Sequence, residues 1–140
     1  MQPIKTVFCV EDNREIAMLI RYQLKGLGYR MCGIADNEQD AVAGIRENRP
    51  DVVLVDIELN GKPEGLDIGN FLFLKTEIPF IYLTAQDDPG LLKKAESTNP
   101  EGFLLKPFNR QQLKVALDGA HGVHRTDVLG NCNAQSKGEV

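Results

Sequence analysis

Continuous apolar runs of strand length recur along this chain, and they leave it few architectures to choose from. Thr6-Val7-Phe8-Cys9-Val10 is the first, and Asp51-Val52-Val53-Leu54-Val55-Asp56 repeats its character. Phe80-Ile81-Tyr82-Leu83-Thr84 and Phe103-Leu104-Leu105 follow, with Arg30-Met31-Cys32-Gly33-Ile34 a weaker fifth example. A strand that meets solvent on one face alternates apolar and polar residues. These runs do not alternate, so they suit strands covered on both faces, as in a parallel sheet with helices on either side.

The intervening segments have helical spacing. Ile16, Leu19, Ile20, Leu24 and Leu27 form one apolar stripe, and Gly28 stands where a helix-terminating glycine belongs. Asn37 can cap a second helix carrying Ala41, Val42 and Ile45, which ends before Pro50. A third follows Gly65 through Leu66, Ile68, Phe71, Leu72 and Leu74 and stops before Pro79. A poorer fourth starts near Pro89 and ends near Asn99-Pro100, and a fifth from about Asn109 aligns Leu113, Ala116, Leu117 and Ala120. Five strands alternating with five helices predict a doubly wound α/β domain over residues 4–120. Residues 121–140 lose the apolar period and read as a polar, mobile tail, with no second domain expected.

With 42% hydrophobic residues, a 140-residue chain can bury a core of this kind. Its net charge of −4 at pH 7 gives no basic footprint for nucleic acid, and no tryptophan is present to stack on a base. No run approaches the ~20 apolar residues that cross a bilayer, and the N-terminus lacks the core of a signal peptide. Cys9, Cys32 and Cys132 are odd in number and lack CxxC spacing, which points to a reduced, cytoplasmic protein. His121, His124 and Cys132 offer too few ligands for a metal site and read as part of the tail.

The polar residues that punctuate the strands carry the chemistry. Right-handed crossovers place the strand C-terminal ends on one edge, where such sheets hold their ligands. The first strand ends in Glu11-Asp12, the third in Asp56, the fourth in Thr84 and the fifth in Lys106-Pro107. Taken singly, each residue has an ordinary explanation. Asp12 could simply cap the first helix with Glu15 completing the box, Thr84 could be a β-former, and Lys106 a solvated charge. Together they put three carboxylates, a hydroxyl and an ammonium on one edge. Clustered carboxylates call for a cation, and hard oxygen ligands suit Mg²⁺. Asp56 can then act as a carboxylate nucleophile towards a phosphoryl group, whose three equatorial oxygens Mg²⁺, Lys106 and Thr84 can each contact.

On these residues the chain resembles the receiver domain of bacterial response regulators, the CheY-like phosphoacceptors of two-component signalling, over about residues 4 to 120. The resemblance rests on Val10-Glu11-Asp12-Asn13, Val55-Asp56-Ile57, Leu83-Thr84-Ala85 and Phe103-Leu104-Leu105-Lys106-Pro107-Phe108, in order. It implies a flavodoxin-like fold and phosphorylation of Asp56. Asp12 and Asp56 would bind Mg²⁺ directly, Glu11 through water, and Glu58 through its carbonyl. Thr84 and Lys106 would contact the phosphoryl oxygens, and Phe103 would turn inward as Thr84 moves. The Lys106-Pro107 bond would be cis. The donor would be a phosphohistidine on a sensor histidine kinase or a histidine phosphotransfer domain. The output would be a downstream protein that reads the surface of the fourth helix, fifth strand and fifth helix.

Two stretches depart from the commonest pattern of that family. The loop Glu58–Gly65 is one residue longer and lacks the proline after Asp56, and Asn99-Pro100 replaces a Gly-Ala pair. In that family the positions matching Glu58 and Gln86 tune phosphoryl lifetime. Two other classes compete with this reading. A haloacid-dehalogenase-like phosphatase also combines an aspartate nucleophile with Thr, Lys and an acidic pair, but its nucleophile lies on the first strand and its acidic pair comes late. A receiver-fold module that binds partners without phosphorylation would have no need of the full polar set. A nucleotide-binding domain would show G-x-G-x-x-G after the first strand, and none is present.

Overall fold

A computed structural model describes residues 5–85 and 88–122 of the chain. Ten elements alternate: β1 (Thr6–Val10), α1 (Arg14–Gly26), β2 (Arg30–Ala35), α2 (Glu38–Asn48), β3 (Val52–Asp56), α3 (Gly65–Lys75), β4 (Phe80–Thr84), α4 (Pro89–Glu96), β5 (Gly102–Leu105) and α5 (Arg110–Gly122). The strands form one parallel sheet in the order β2-β1-β3-β4-β5. The expected doubly wound topology is therefore present, and its helices fall on both faces. Gln86, His124 and Cys132 lie outside the described residues. Helix α5 runs to Gly122, two residues past the boundary expected from its apolar period, because hydrogen bonding rather than burial sets a helix end.

Strand side chains point alternately to the two faces, and each face has its own core. Phe8, Val10, Val53, Val55, Phe80 and Tyr82 pack under α2, α3 and α4. Val7, Cys9, Val52, Leu54, Ile81 and Leu83 pack under α1 and α5. This explains the continuous apolar runs: β1, β3 and β4 are interior strands, buried on both sides almost throughout. The weaker runs belong to β2 and β5, which are the edges and stay partly exposed.

Local signals end the helices where the sequence placed them. Gly28 adopts φ 90° just after the Leu27 cap, and Asn99 adopts φ 62° after α4, in the left-handed region that these residues tolerate. Asn37 caps α2, its side chain accepting from the Asp40 amide. The ordinary explanation for Asp12 falls away. The cap of α1 is Asn13, whose Oδ1 accepts from the Ile16 N–H at 3.0 Å, and not Asp12. Helix capping therefore makes no use of the Asp12 carboxylate.

A buried polar pair fastens α4 to the sheet. The Tyr82 hydroxyl lies 2.6 Å from Thr98 Oγ1, which itself donates to the Ala95 carbonyl at 2.6 Å, so Tyr82 is the donor of the pair. Gly69 on α3 makes room for this ring, since a Cβ there would run into the Tyr82 hydroxyl. Gly69→Ala is therefore expected to lower stability by about 1–3 kcal/mol. Tyr82→Phe should be less harmful in that background than in wild type, because it relieves the collision. Chemical denaturation of the four proteins of this cycle checks both, and simple additivity would show that the two positions do not touch.

Candidate functional site

The site forms where β1, β3, β4 and β5 end together. Pairing of β1 with β3 puts Val10 opposite Val55, so the next residues, Glu11 and Asp56, emerge side by side. Backbone bonds continue past the strand ends. The Glu11 N–H donates to the Ala35 carbonyl at 2.9 Å, Ile57 N–H to Leu83 at 3.0 Å and Lys106 N–H to Thr84 at 2.7 Å. These ties fix the loops that carry Glu11, Asp56, Thr84 and Lys106. The Lys106-Pro107 peptide bond is cis.

Six of the site residues singled out in the sequence line one cleft of about 310 Å³: Glu11, Asp12, Asp56, Glu58, Thr84 and Lys106. The Glu58 N–H donates to Asp56 Oδ1 at 3.2 Å. Lys106 Nζ donates to Asp56 Oδ2 at 2.8 Å and to Glu11 Oε1 at 3.2 Å. The other oxygen of Glu11, Oε2, accepts from the Asn13 N–H at 3.0 Å. Glu11, Asp56 and Thr84 are buried, whereas Asp12 is exposed.

Burial and charge oppose one another here. Loss of water pushes the Glu11 carboxyl up to about 7, with the neighbouring Asp56 adding to the effect. The Asn13 amide and Lys106 pull in the other direction without cancelling it. Burial draws the Lys106 ammonium down, yet the Asp56 and Glu11 carboxylates more than reverse this and leave it above its ordinary range. Cys9, behind the site on β1, has its thiol pushed up chiefly by burial, so it behaves as a small hydrophobe.

Oxygen atoms of Glu11, Asp12 and Asp56, one from each, lie within 4.8 Å of one another. Three hard, anionic oxygens beside an open cleft fit a Mg²⁺ ion, which keeps several of its waters and needs few protein ligands. Phe103 is set apart from this cluster. It stands on β5, 37% exposed, with its ring stacked on Tyr82 at 5.7 Å between centroids.

Two neighbours of the site carry roles that no motif assigns. Asn60 in the β3–α3 loop donates its backbone N–H to Asp12 Oδ2 at 2.9 Å. Gly65 allows α3 to begin against the Asp56 carbonyl, where a Cβ would collide with backbone. The dipeptide Asn60-Gly61 is a turn signal and was the only hint of the first.

The comparisons with known proteins agree with this geometry. The family model of the response regulator receiver domain matches residues 7–118. The DNA-binding response regulator MtrA of Mycobacterium tuberculosis is 30% identical over 107 residues, covering 76% of this chain and 46% of MtrA. The phyllosphere-induced regulator PhyR of Methylorubrum extorquens is 31% identical over 115 residues, covering 81% of this chain and 42% of PhyR. The matched region thus spans about half the length of these curated relatives. Among solved structures, the signal receiver domain of a modulated diguanylate cyclase from Desulfovibrio desulfuricans superimposes with a TM-score of 0.79 at 34% identity, covering 85% of this chain and 94% of that one. The chemotaxis protein CheY4 of Vibrio cholerae shares the fold, with a TM-score of 0.74 at 23% identity over 82% of this chain and 97% of that one.

The Glu11 environment yields a pH prediction. Its folded-state value of about 7 exceeds its ordinary 4.5, so folding favours the protonated form. The stability contributed is present below about 4.5 and is lost as pH rises through about 7. In chelator-treated protein, this component of the melting temperature should decline across that window, and Glu11→Gln should flatten the decline. Parallel pH profiles for the two proteins would contradict the assignment.

Proposed function

The chain belongs to the response regulator receiver domain family, and from that premise we propose that it is a phosphoacceptor of two-component signalling whose acceptor is Asp56. The observation that carries this reading is the Asp56 carboxylate itself. It is buried at the sheet edge, bonded to the Lys106 ammonium at 2.8 Å and grouped with the Glu11 and Asp12 carboxylates. Glu11, Asp12, Asp56 and the carbonyl of Glu58 are the groups that would hold Mg²⁺. The ion would supply charge neutralisation for the incoming phosphoryl group.

An Asp56 oxygen attacks phosphorus in line with the departing nitrogen of a phosphohistidine, carried by a sensor histidine kinase or a histidine phosphotransfer domain. The P–N bond breaks, its electron pair leaves with the imidazole, and Asp56 becomes an acyl phosphate. Lys106 then exchanges a carboxylate oxygen for a phosphoryl oxygen, and the Thr84 hydroxyl donates to another. The chain catalyses its own phosphorylation and slow hydrolysis and no turnover of a separate substrate. The work belongs in the cytoplasm, where such donors act. No described helix is long and apolar enough to cross a membrane.

The output is a change of protein contacts, without direct contact to nucleic acid. Movement of Thr84 towards the phosphoryl group frees space for Phe103, and the α4–β5–α5 face changes with it. That face already exposes Leu105 and Val115, at 58% and 59%. Such apolar area suits a downstream protein partner.

Intact mass after incubation with acetyl phosphate tests the chemistry. Wild type should gain one phosphoryl group in the presence of Mg²⁺, and Asp56→Asn should gain none. If folded wild type saturated with Mg²⁺ neither gains mass nor binds beryllofluoride, the phosphoacceptor reading fails and the unphosphorylated module takes its place. Thr84→Ala tests the switch. It should still take up the phosphoryl group but lose the accompanying change in partner affinity, and an undiminished change would break the proposed coupling.

A further inference from the structure

The β3–α3 loop is a strap across the metal-facing side of the site, and its anatomy assigns it a task. Leu59 is fully buried in the core beneath α2 and α3 and anchors the strap from below. Leu59 and Lys62 exchange two backbone bonds, Leu59 N–H to Lys62 carbonyl at 2.8 Å and Lys62 N–H to Leu59 carbonyl at 3.0 Å. Between them Asn60 and Gly61 adopt φ 56° and 78°, both left-handed, as a type I′ turn requires. The result is a two-residue hairpin inserted in a connection between strand and helix.

Three bonds fasten the strap to two other loops of the sheet edge. The Asn60 N–H donates to Asp12 Oδ2 at 2.9 Å. The Asn60 side-chain amide donates to the Asp36 carbonyl at 3.1 Å. Further along, Glu64 Oε1 accepts the Glu38 N–H, the first amide of α2, at 2.8 Å. The turn therefore bridges the loops after β1 and β2 and sets its tip, Gly61, at the cleft shared by Glu11, Asp12 and Asp56.

Asp12 most needs such support. It is exposed, whereas Glu11 is held by burial and by contacts to both its oxygens, and Asp56 by burial and Lys106. An exposed aspartate with no partner samples several rotamers, and ordering it would subtract from any binding free energy. An N–H donor on one oxygen selects an orientation beforehand and leaves the remaining lone pairs available. Partners of this kind, bonded to a ligand rather than to the metal, typically contribute 10–100-fold to metal affinity.

We propose that the Asn60-Gly61 turn is a positioning element for Mg²⁺, its backbone amide fixing the Asp12 carboxylate that faces Glu11 and Asp56. The proposal rests on the metal reading of the site and adds to it a residue outside the ligand set. Asn60 acts through its main chain, so the shape of the turn matters more than the side chain at its tip. Gly61 gives a direct handle on that shape. No atom lies within 4 Å of a Cβ built there, so a Cβ meets no obstacle and the left-handed φ is what it perturbs, while Gly61→Asn controls for side-chain bulk at the cleft.

Calorimetric Mg²⁺ titration of metal-stripped wild type, Gly61→Val and Gly61→Asn tests the idea, with the metal-free melting temperature of each measured alongside. Valine resists the left-handed region and asparagine tolerates it. Gly61→Val should bind Mg²⁺ about tenfold more weakly, while Gly61→Asn keeps the wild-type affinity and both stay folded without metal. Undiminished Mg²⁺ affinity in Gly61→Val overturns the positioning role and leaves the metal site standing. Absence of Mg²⁺ binding in wild type removes the site and the proposal together. Should Gly61→Val unfold, amide exchange decides the matter in the metal-free full chain. The Asn60 N–H should exchange faster in Asp12→Ala than in wild type, and equal rates would show that the bond is not made in solution.

Discussion

Lys106 spans three strands of the sheet edge to meet two carboxylates at once, and the arrangement around it depends on that reach. Glu11 and Asp56 are brought together by the pairing of β1 with β3, which the buried apolar runs enforce. Folding thus assembles a pair of buried acids that would repel one another if both were charged. An ammonium at 2.8 and 3.2 Å from their oxygens offsets much of that repulsion. Burial is the larger burden on Glu11 and pushes its carboxyl up to about 7, with Asp56 adding to the effect. A divalent cation at the same oxygens would offset the repulsion further. A core that needs acids at this place to do chemistry must tolerate them when idle, and one lysine is the means.

The same lysine ties the site to the far side of the sheet. Its N–H bonds the Thr84 carbonyl at the end of β4, and the strand that leads into it carries Phe103. Phe103 stacks on Tyr82, and Tyr82 bonds Thr98 beyond the last turn of α4. A displacement at Thr84 therefore meets a rigid neighbour two residues back on its own strand. That neighbour is packed against α3 at Gly69 and fastened to α4 by a buried hydroxyl pair, which loses a partner at considerable cost if broken. Interiors of this density transmit strain instead of absorbing it, so a displacement at Thr84 would be felt along this path.

How much of this could be read from the sequence followed from which contacts are local. The interior strands announce themselves because burial on both faces leaves β1, β3 and β4 almost wholly apolar until the functional residues appear at their ends. The edges were harder to see, since Arg30 and Ile34 on β2 and Phe103 and Leu105 on β5 are exposed and dilute the signal. Asp12 could be mistaken for a helix cap because Asp and Asn cap equally well and Asn13 stands beside it. Only the geometry shows which one accepts from the Ile16 amide. The Tyr82–Thr98 pair joins residues sixteen apart, and the Asn60–Asp12 bond residues forty-eight apart. Neither pairing has a periodicity or a motif to betray it, although Asn60-Gly61 marks the turn itself.

The two acids that follow β1 illustrate how one charge can be ordered in two ways. Glu11 is immobilised by its own burial, and the result is a carboxyl whose proton affinity is raised. Asp12, one residue later, is exposed, and exposure alone would leave it disordered. The β3–α3 loop provides the missing constraint from outside the core. Leu59 holds the loop down, two left-handed residues turn it, and a backbone amide meets the carboxylate. A main-chain donor is well suited to this, because it has no side-chain rotamers of its own to order. Preorganisation of the exposed acid therefore comes from the backbone path of the loop, and the stability of the buried one from the sheet, so either can change without dismantling the other.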